Sequence, residues 1–245
     1  MDIRVASDPA GAAAEYIADR LRRAIDDRGS ATLAVSGGST APPLFAAMSR
    51  SGRPTADDGG ILWGRVAVWQ VDERVAPDGD PDRNAGQLAG LPAEAHLMPV
   101  NEADPAAAAQ SYAASLPPRF DVVHLGLGDD GHTASWAPSP HPDAERALVT
   151  TDPVFVIGAF NGRSRMTLGV DVVNAADERV VLVVGSTKAD AVARWVGAVA
   201  RRGGGPGWVD VTLPIAAVQA ERTVLFLDAP AAGGLDDTAF VAIGP

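Results

Sequence analysis

Six short apolar runs, rich in β-branched residues and separated by stretches of helical character, constrain this chain more than any other feature. They cover residues 31–35, 66–71, 121–125, 154–158, 180–184 and 223–227. Several are apolar on both faces, which is the pattern of parallel strands covered by helices. Between them, residues near 42–50, 84–91, 105–116 and 188–199 read as helical. A first helix is marked by Asp8 and Pro9 as cap and first-turn residues, by Ala13, Ile17, Leu21 and Ile25 along one face, and by Gly29 at its end. Alternation of this kind predicts an α/β fold with a mostly parallel sheet flanked by helices, and it places ligands at the carboxyl ends of the strands.

The 245 residues suffice for one large domain, 1–245, and no internal repeat interrupts it. Residues 201–207, RRGGGPG, read as a surface loop. A net charge of −11 disfavours nucleic acids and anionic membranes as partners, so an anionic small molecule would need a local basic focus. No apolar run reaches the ~18–20 residues that span a bilayer, and the N-terminal segment lacks the long apolar stretch of a signal peptide. A soluble, cytoplasmic protein is expected. With no cysteine, and with His96, His124, His132 and His141 outside any HExxH spacing, neither disulfides nor a dedicated metal site are expected.

Chemistry concentrates at the predicted strand ends. After residues 121–125 comes Gly126-Leu127-Gly128-Asp129-Asp130-Gly131-His132-Thr133-Ala134-Ser135, where a glycine turn presents two carboxylates beside an imidazole able to move protons near neutrality. The same glycines satisfy G-x-G-x-x-G, but two acids inside the loop would face a pyrophosphate, and Pro138 and Pro140 cut short the helix that should receive it. After residues 31–35, Ser36-Gly37-Gly38-Ser39-Thr40 offers backbone N–H groups and hydroxyls ahead of a helix, a phosphate cradle without the P-loop lysine. Gly37-Gly38-Ser39-Thr40-Ala41 also comes within one residue of a nucleophile elbow, which would make Ser39 catalytic. Val71-Asp72-Glu73-Arg74 supplies two acids and a guanidinium. Ser186-Thr187 reads as an N-cap, so the chain's only lysine, Lys188, falls in a first helical turn; a cation there opposes the dipole and points to an anion nearby. His124, inside a predicted strand, reads as a packed core residue.

Taken in order, these segments, with Asn84, Arg165-Met166-Thr167-Leu168, Gly185-Ser186-Thr187-Lys188 and LPIAAVQ at residues 213–219, resemble the 6-phosphogluconolactonase family over most of the chain. The resemblance implies a Rossmann-like three-layer sandwich of the glucosamine-6-phosphate isomerase/deaminase type. It further implies cofactor-free hydrolysis of a sugar-phosphate lactone, 6-phospho-D-glucono-1,5-lactone, in the pentose phosphate pathway. Carried over by motif position, His132 is the expected catalytic residue with Asp130 beside it. Arg74 and Lys188 are expected near the phosphate, with Ser36, Gly37, Gly38, Ser39 and Thr40, and with Asp72, Asn84 and Arg165, completing the substrate site. The oligomeric state is open, and a monomer fits.

Two departures from the family pattern stand out. Trp136-Ala137-Pro138 replaces Leu-Phe-Pro and could reshape the pocket wall, and Arg83 replaces the serine common before Asn84. The competing readings are the related isomerase/deaminase and a non-catalytic sugar-phosphate-binding domain. The first expects an acid that Trp136-Ala137-Pro138-Ser139 does not offer, and a tyrosine where Arg74 stands; the second needs no acid–base pair.

Overall fold

The computed structural model describes residues 1–50, 60–202, 208–236, 239 and 241–242. From the amino terminus come β1 (Asp2–Val5), α1 (Pro9–Arg28), β2 (Ala31–Val35), α2 (Ala41–Arg50), β3 (Val66–Gln70), β4 (Asp72–Arg74) and α3 (Ala85–Leu88). The middle of the chain forms β5 (Glu94–His96), α4 (Pro105–Ala114), β6 (Val122–Leu125), α5 (Ala144–Val149), β7 (Val154–Phe160) and β8 (Arg163–Leu168). Then follow α6 (Val170–Ala175), β9 (Glu178–Val183), α7 (Ala189–Arg202), β10 (Thr223–Leu227) and β11 (Val241–Ala242).

Local chemistry starts and stops these elements. In α1 the Asp8 carboxylate accepts from Gly11 N at 2.9 Å, Pro9 opens the first turn, and Gly29 closes the helix at φ 79 with its N–H on Ile25 O. The face Ala13, Ile17 and Leu21 is fully buried. In α4, Asp104 accepts from Ala106 N and Ala107 N ahead of Pro105. The helix expected over 84–91 is shorter: it starts at Ala85, after an Asn84 whose side chain donates to Asp72 O and does not cap it, and it ends at Leu88, ahead of Gly90 and Pro92.

The main sheet is parallel, in the order β11-β1-β10-β9-β6-β2-β3-β5. Its central strands face two separate cores. On one side Leu33, Val35, Val180 and Phe226 pack under α1 and α2. On the other, Val123, Leu125, Val181 and Leu225 meet Trp195 of α7, Val173 of α6 and Tyr112 of α4. The expected three-layer α/β arrangement is therefore the observed one.

The sheet expectation is corrected at one strand. The run at 154–158 does not join the parallel sheet; β7 pairs antiparallel with β8, which pairs with β4, in a second sheet of three strands. The cause is local: Asn161 (φ 52) and Gly162 (φ 84) both take positive φ and form the two-residue turn that favours a hairpin over a crossover. The segment around Arg163 and Arg165 is thus a strand, and β4 leaves the end of β3 to meet it. The N-cap expected at Ser186-Thr187 is also absent: residues 186–188 form a 3-10 turn without a side-chain cap, and α7 begins at Ala189. Of the expected loop at 201–207, Arg201 and Arg202 end α7 and 203–207 lie outside the described residues.

His124 is a core residue, as read from the sequence. It is fully buried in β6, edge-on to Phe45, and among the described residues neither ring nitrogen has a hydrogen-bond partner. Burial pushes its pKa down to about 4. The unfolded ring takes a proton near pH ~6.5, so between that value and 4 the unfolded chain binds more protons and stability falls as pH drops. Across this window the loss should reach about 3 kcal/mol. Urea unfolding at pH 7, 5.5 and 4.5 should therefore show a shallower pH dependence for His124→Leu than for the parent; equal slopes would remove His124 as the cause.

Candidate active site

The carboxyl ends of β2, β3, β6 and β9 open into one cleft of about 150 Å³. Eleven of the twelve residues expected at the site line it: Ser36, Gly37, Gly38, Ser39 and Thr40 from the loop after β2; Asp72, Arg74 and Asn84 from β4 and beyond; and His132, Arg165 and Lys188. The twelfth, Asp130, stands behind His132. Residues not anticipated also contribute, notably Leu127, Thr133 and Val184. They are apolar or carry a hydroxyl, and their signal was only their adjacency to the motifs.

His132 and Asp130 form a tight pair. Nδ1 of the imidazole lies 2.5 Å from Asp130 Oδ1, and the same oxygen accepts from the His132 backbone N–H at 3.0 Å. Burial pushes the Asp130 carboxyl up, but its contacts with His132 together outweigh that and hold it below the usual carboxylate range. An ionised Asp130 makes Nδ1 the protonated nitrogen and leaves Nε2 with a free lone pair. The turn allows this only because residue 128 is glycine: a Cβ there would collide with His132 Nδ1 and Asp130 Oδ1. Gly131, at φ 89, completes the turn. No helix follows the glycine turn directly, since α5 starts at Ala144, and this removes the receiving helix that a dinucleotide would need.

The cleft's opposite walls carry cations. Arg74 Nη1 donates to Asp82 O at 2.7 Å and to Asn84 Oδ1 at 2.9 Å. Arg165, 5% exposed, donates from Nε to Phe160 O at 3.1 Å and has Nη1 3.9 Å from Asp72 Oδ2. Burial lowers its pKa, with Asp72 opposing. Burial likewise pushes the Asp72 carboxyl up, against the Ser135 hydroxyl that donates to it at 2.7 Å and the two arginines. Lys188 Nζ lies 3.8 Å from the largely exposed Asp129 carboxylate, a long contact, and the lysine lines the cleft.

In the loop after β2, Gly38 takes φ 106 and its N–H donates to Gln87 Oε1 at 3.0 Å. Gly37 faces Asn84 so closely that a Cβ would collide with the Asn84 amide. Ser39 is exposed on the cleft, and among the described residues no hydrogen bond joins its hydroxyl to a base. That is not the arrangement of an activated serine.

Arg83 and Glu73, which the sequence left without a role, prove to be a buried brace. Glu73 is fully buried and accepts from Gln70 Nε2, Arg74 N, Asn84 N and Ala85 N, each within 2.8 Å. Arg83 Nε sits 3.1 Å from Glu73 Oε2, and its Nη1 donates to Ala76 O. Trp136 does not reshape the pocket wall: it is fully buried, is not among the lining residues, and donates from Nε1 to Leu168 O at 2.9 Å. Among the described residues, no group of three or more His, Asp or Glu side chains could hold a metal ion, and no helix is long and apolar enough to cross a membrane.

The chain is similar to known proteins in sequence and in fold. The family model for glucosamine-6-phosphate isomerases/6-phosphogluconolactonase matches residues 5–226. A 6-phosphogluconolactonase from Synechocystis is 36% identical over 194 residues, covering 72% of this chain and 75% of its own. Among solved structures, a 6-phosphogluconolactonase from Shewanella baltica superposes with a TM-score of 0.73 at 26% identity, covering 94% of this chain and 98% of its own. A monomeric glucosamine-6-phosphate deaminase superposes with a TM-score of 0.77 at 15% identity, over 96% of this chain and all of its own, which shows a shared fold.

Proposed function

The chain belongs to the glucosamine-6-phosphate isomerase/6-phosphogluconolactonase family, and from that premise we propose that its cleft is a water-using lactonase site with His132 as general base. It is an enzyme, and its reaction is that of its curated relatives: hydrolysis of 6-phospho-D-glucono-1,5-lactone to 6-phospho-D-gluconate, a step of the pentose phosphate pathway. One observation carries the assignment of roles. A carboxylate-held imidazole opens onto the same cleft as Arg74, Arg165 and Lys188.

In this reading the His132 Nε2 lone pair takes a proton from water as the water oxygen bonds to the lactone carbonyl carbon. Asp130 keeps Nδ1 protonated and stabilises the imidazolium that forms. The tetrahedral centre then collapses, the bond from carbonyl carbon to ring oxygen breaks, and the imidazolium returns its proton to the departing ring oxygen. The new carboxylic acid ionises to the product carboxylate. Besides Asp72 and His132, the charged residues lining the cleft are cationic, so oxyanion and phosphate both meet positive charge. In a chain of net charge −11 this is the local basic focus the substrate requires.

Arg74, Arg165 and Lys188 hold the phosphate, with the N–H groups and hydroxyls of residues 36–40 as further donors. Asp72 acts by bracing Arg165, and Asn84 by bracing Arg74. We read residues 1–245 as one domain, because β1 and β10, far apart in the chain, pair side by side. Phosphate contacts lie away from the reacting carbon and contribute binding energy. Lys188→Ala and Arg74→Ala should therefore each raise KM for the phosphorylated lactone by roughly tenfold or more, with little effect on an unphosphorylated lactone. Steady-state kinetics on both substrates checks this, and variants that treat the two lactones as the parent does would disprove the anion site.

A further inference from the structure

Phe160 lies in no motif, but two residues that line the cleft, His132 and Arg165, and a third outside it, His141, converge on its ring. The His132 imidazole meets it at 5.0 Å between centroids and 84° between planes. Arg165 places its guanidinium carbon 5.1 Å from the ring centroid and donates from Nε to the Phe160 carbonyl. The His141 ring approaches at 5.9 Å and 83°. Phe160 is buried, at 8% exposure.

Its placement is built by the backbone. The β7–β8 register shifts between Ile157 and Phe160, so the end of β7 is re-aimed where an unbroken ladder would have continued. Asp143 Oδ2 accepts from Gly158 N at 2.9 Å, and His141 Nε2 lies 3.3 Å from Ala159 O, which fastens the irregular stretch. An aromatic face is electronegative and attracts both a guanidinium and the positive edge of another ring.

We infer that Phe160 is a positioning residue that holds the general base and the phosphate-binding Arg165 in fixed relation, so that one side chain sets both turnover and substrate affinity. This rests on the roles given above to His132 and Arg165. Phe160 touches no reacting atom; it acts by restricting the imidazole and the guanidinium together.

Phe160→Leu retains apolar bulk but has no ring face, and Phe160→Tyr retains the face. Phe160→Leu should lower kcat roughly tenfold and raise KM several-fold, the scale of losing one aromatic contact at each partner. Phe160→Tyr should recover most of both losses, which a residue acting only by volume would not require. In a cycle with His132→Asn, Phe160→Leu should cost little further kcat while still raising KM. Parental kcat and KM in Phe160→Leu, or equal damage in Phe160→Tyr, would overturn the inference. If Phe160→Leu does not fold, Phe160→Met is subject to the same comparison. A His132→Asn enzyme with parental kcat would instead overturn the reading beneath it, which keeps the two failures distinct.

Discussion

His132→Asn should lower kcat by about 10²–10⁴-fold, the usual worth of general-base assistance, while KM changes by no more than a few-fold. Asparagine can still hydrogen-bond Asp130, but it has no basic nitrogen to receive a proton from water. The phosphate cations and the glycine turn remain, so binding persists while proton transfer is lost. His132 and Asp130 are partly exposed, with side chains 24% and 38% accessible, so thermal stability should stay close to that of the parent. Spontaneous lactone hydrolysis must be subtracted. Undiminished turnover in this variant would remove His132 from the mechanism. A fall in kcat accompanied by a large fall in melting temperature would move the cause from chemistry to folding.

The second large effect is on stability. Glu73→Gln removes the only charge of the brace facing Arg83 on its buried side and leaves a guanidinium that is 5% accessible without that counter-charge. Removing one partner of a buried ion pair costs on the order of 3–5 kcal/mol, because the remaining charge stays desolvated. In a chain of this length that corresponds to a melting temperature roughly 10 °C lower or more. The glutamine carbonyl can also satisfy only part of the four N–H donations that Glu73 receives. Asp78, the other carboxylate near Arg83, is 86% accessible, and Asp78→Asn should change stability little. Adding Arg83→Leu to Glu73→Gln should recover part of the loss, since the uncompensated charge is then gone. Calorimetry of the four proteins decides the matter, and a Glu73→Gln enzyme within about 1 kcal/mol of the parent would contradict the brace.

Much of the scaffold could be read in advance because its signals are local. Asp8, Pro9 and Gly29 delimit α1 by cap chemistry that needs no tertiary partner. The runs at 31–35 and 223–227 coincide with β2 and β10, since strands buried on both faces advertise themselves by continuous apolar composition. The small antiparallel sheet is not legible in the apolar runs, because its hairpin depends on the positive φ of Asn161 and Gly162. Its strands carry arginines at positions 163 and 165, which weakened their apolar pattern. Inside its strand Arg165 is met by Asp72, brought alongside by β4, and by the Phe160 carbonyl at the end of β7.

The sequence by itself determined the layered α/β architecture, the chemical character of each strand end, and through the order of its motifs the family and the reaction. These follow from periodicity, caps, turn glycines and the identity of adjacent residues, all of which act over a few positions. Tertiary structure alone decided which groups meet: that Lys188 lies against Asp129, that Arg83 neutralises Glu73 and leaves the cleft untouched, that Trp136 is core and not pocket wall, and that Phe160 joins His132 to Arg165. The physical reason is that the energy of a charge or a ring depends on burial and on partners brought from distant strand ends. Those are properties of the assembled sheet and cannot be read from any one segment.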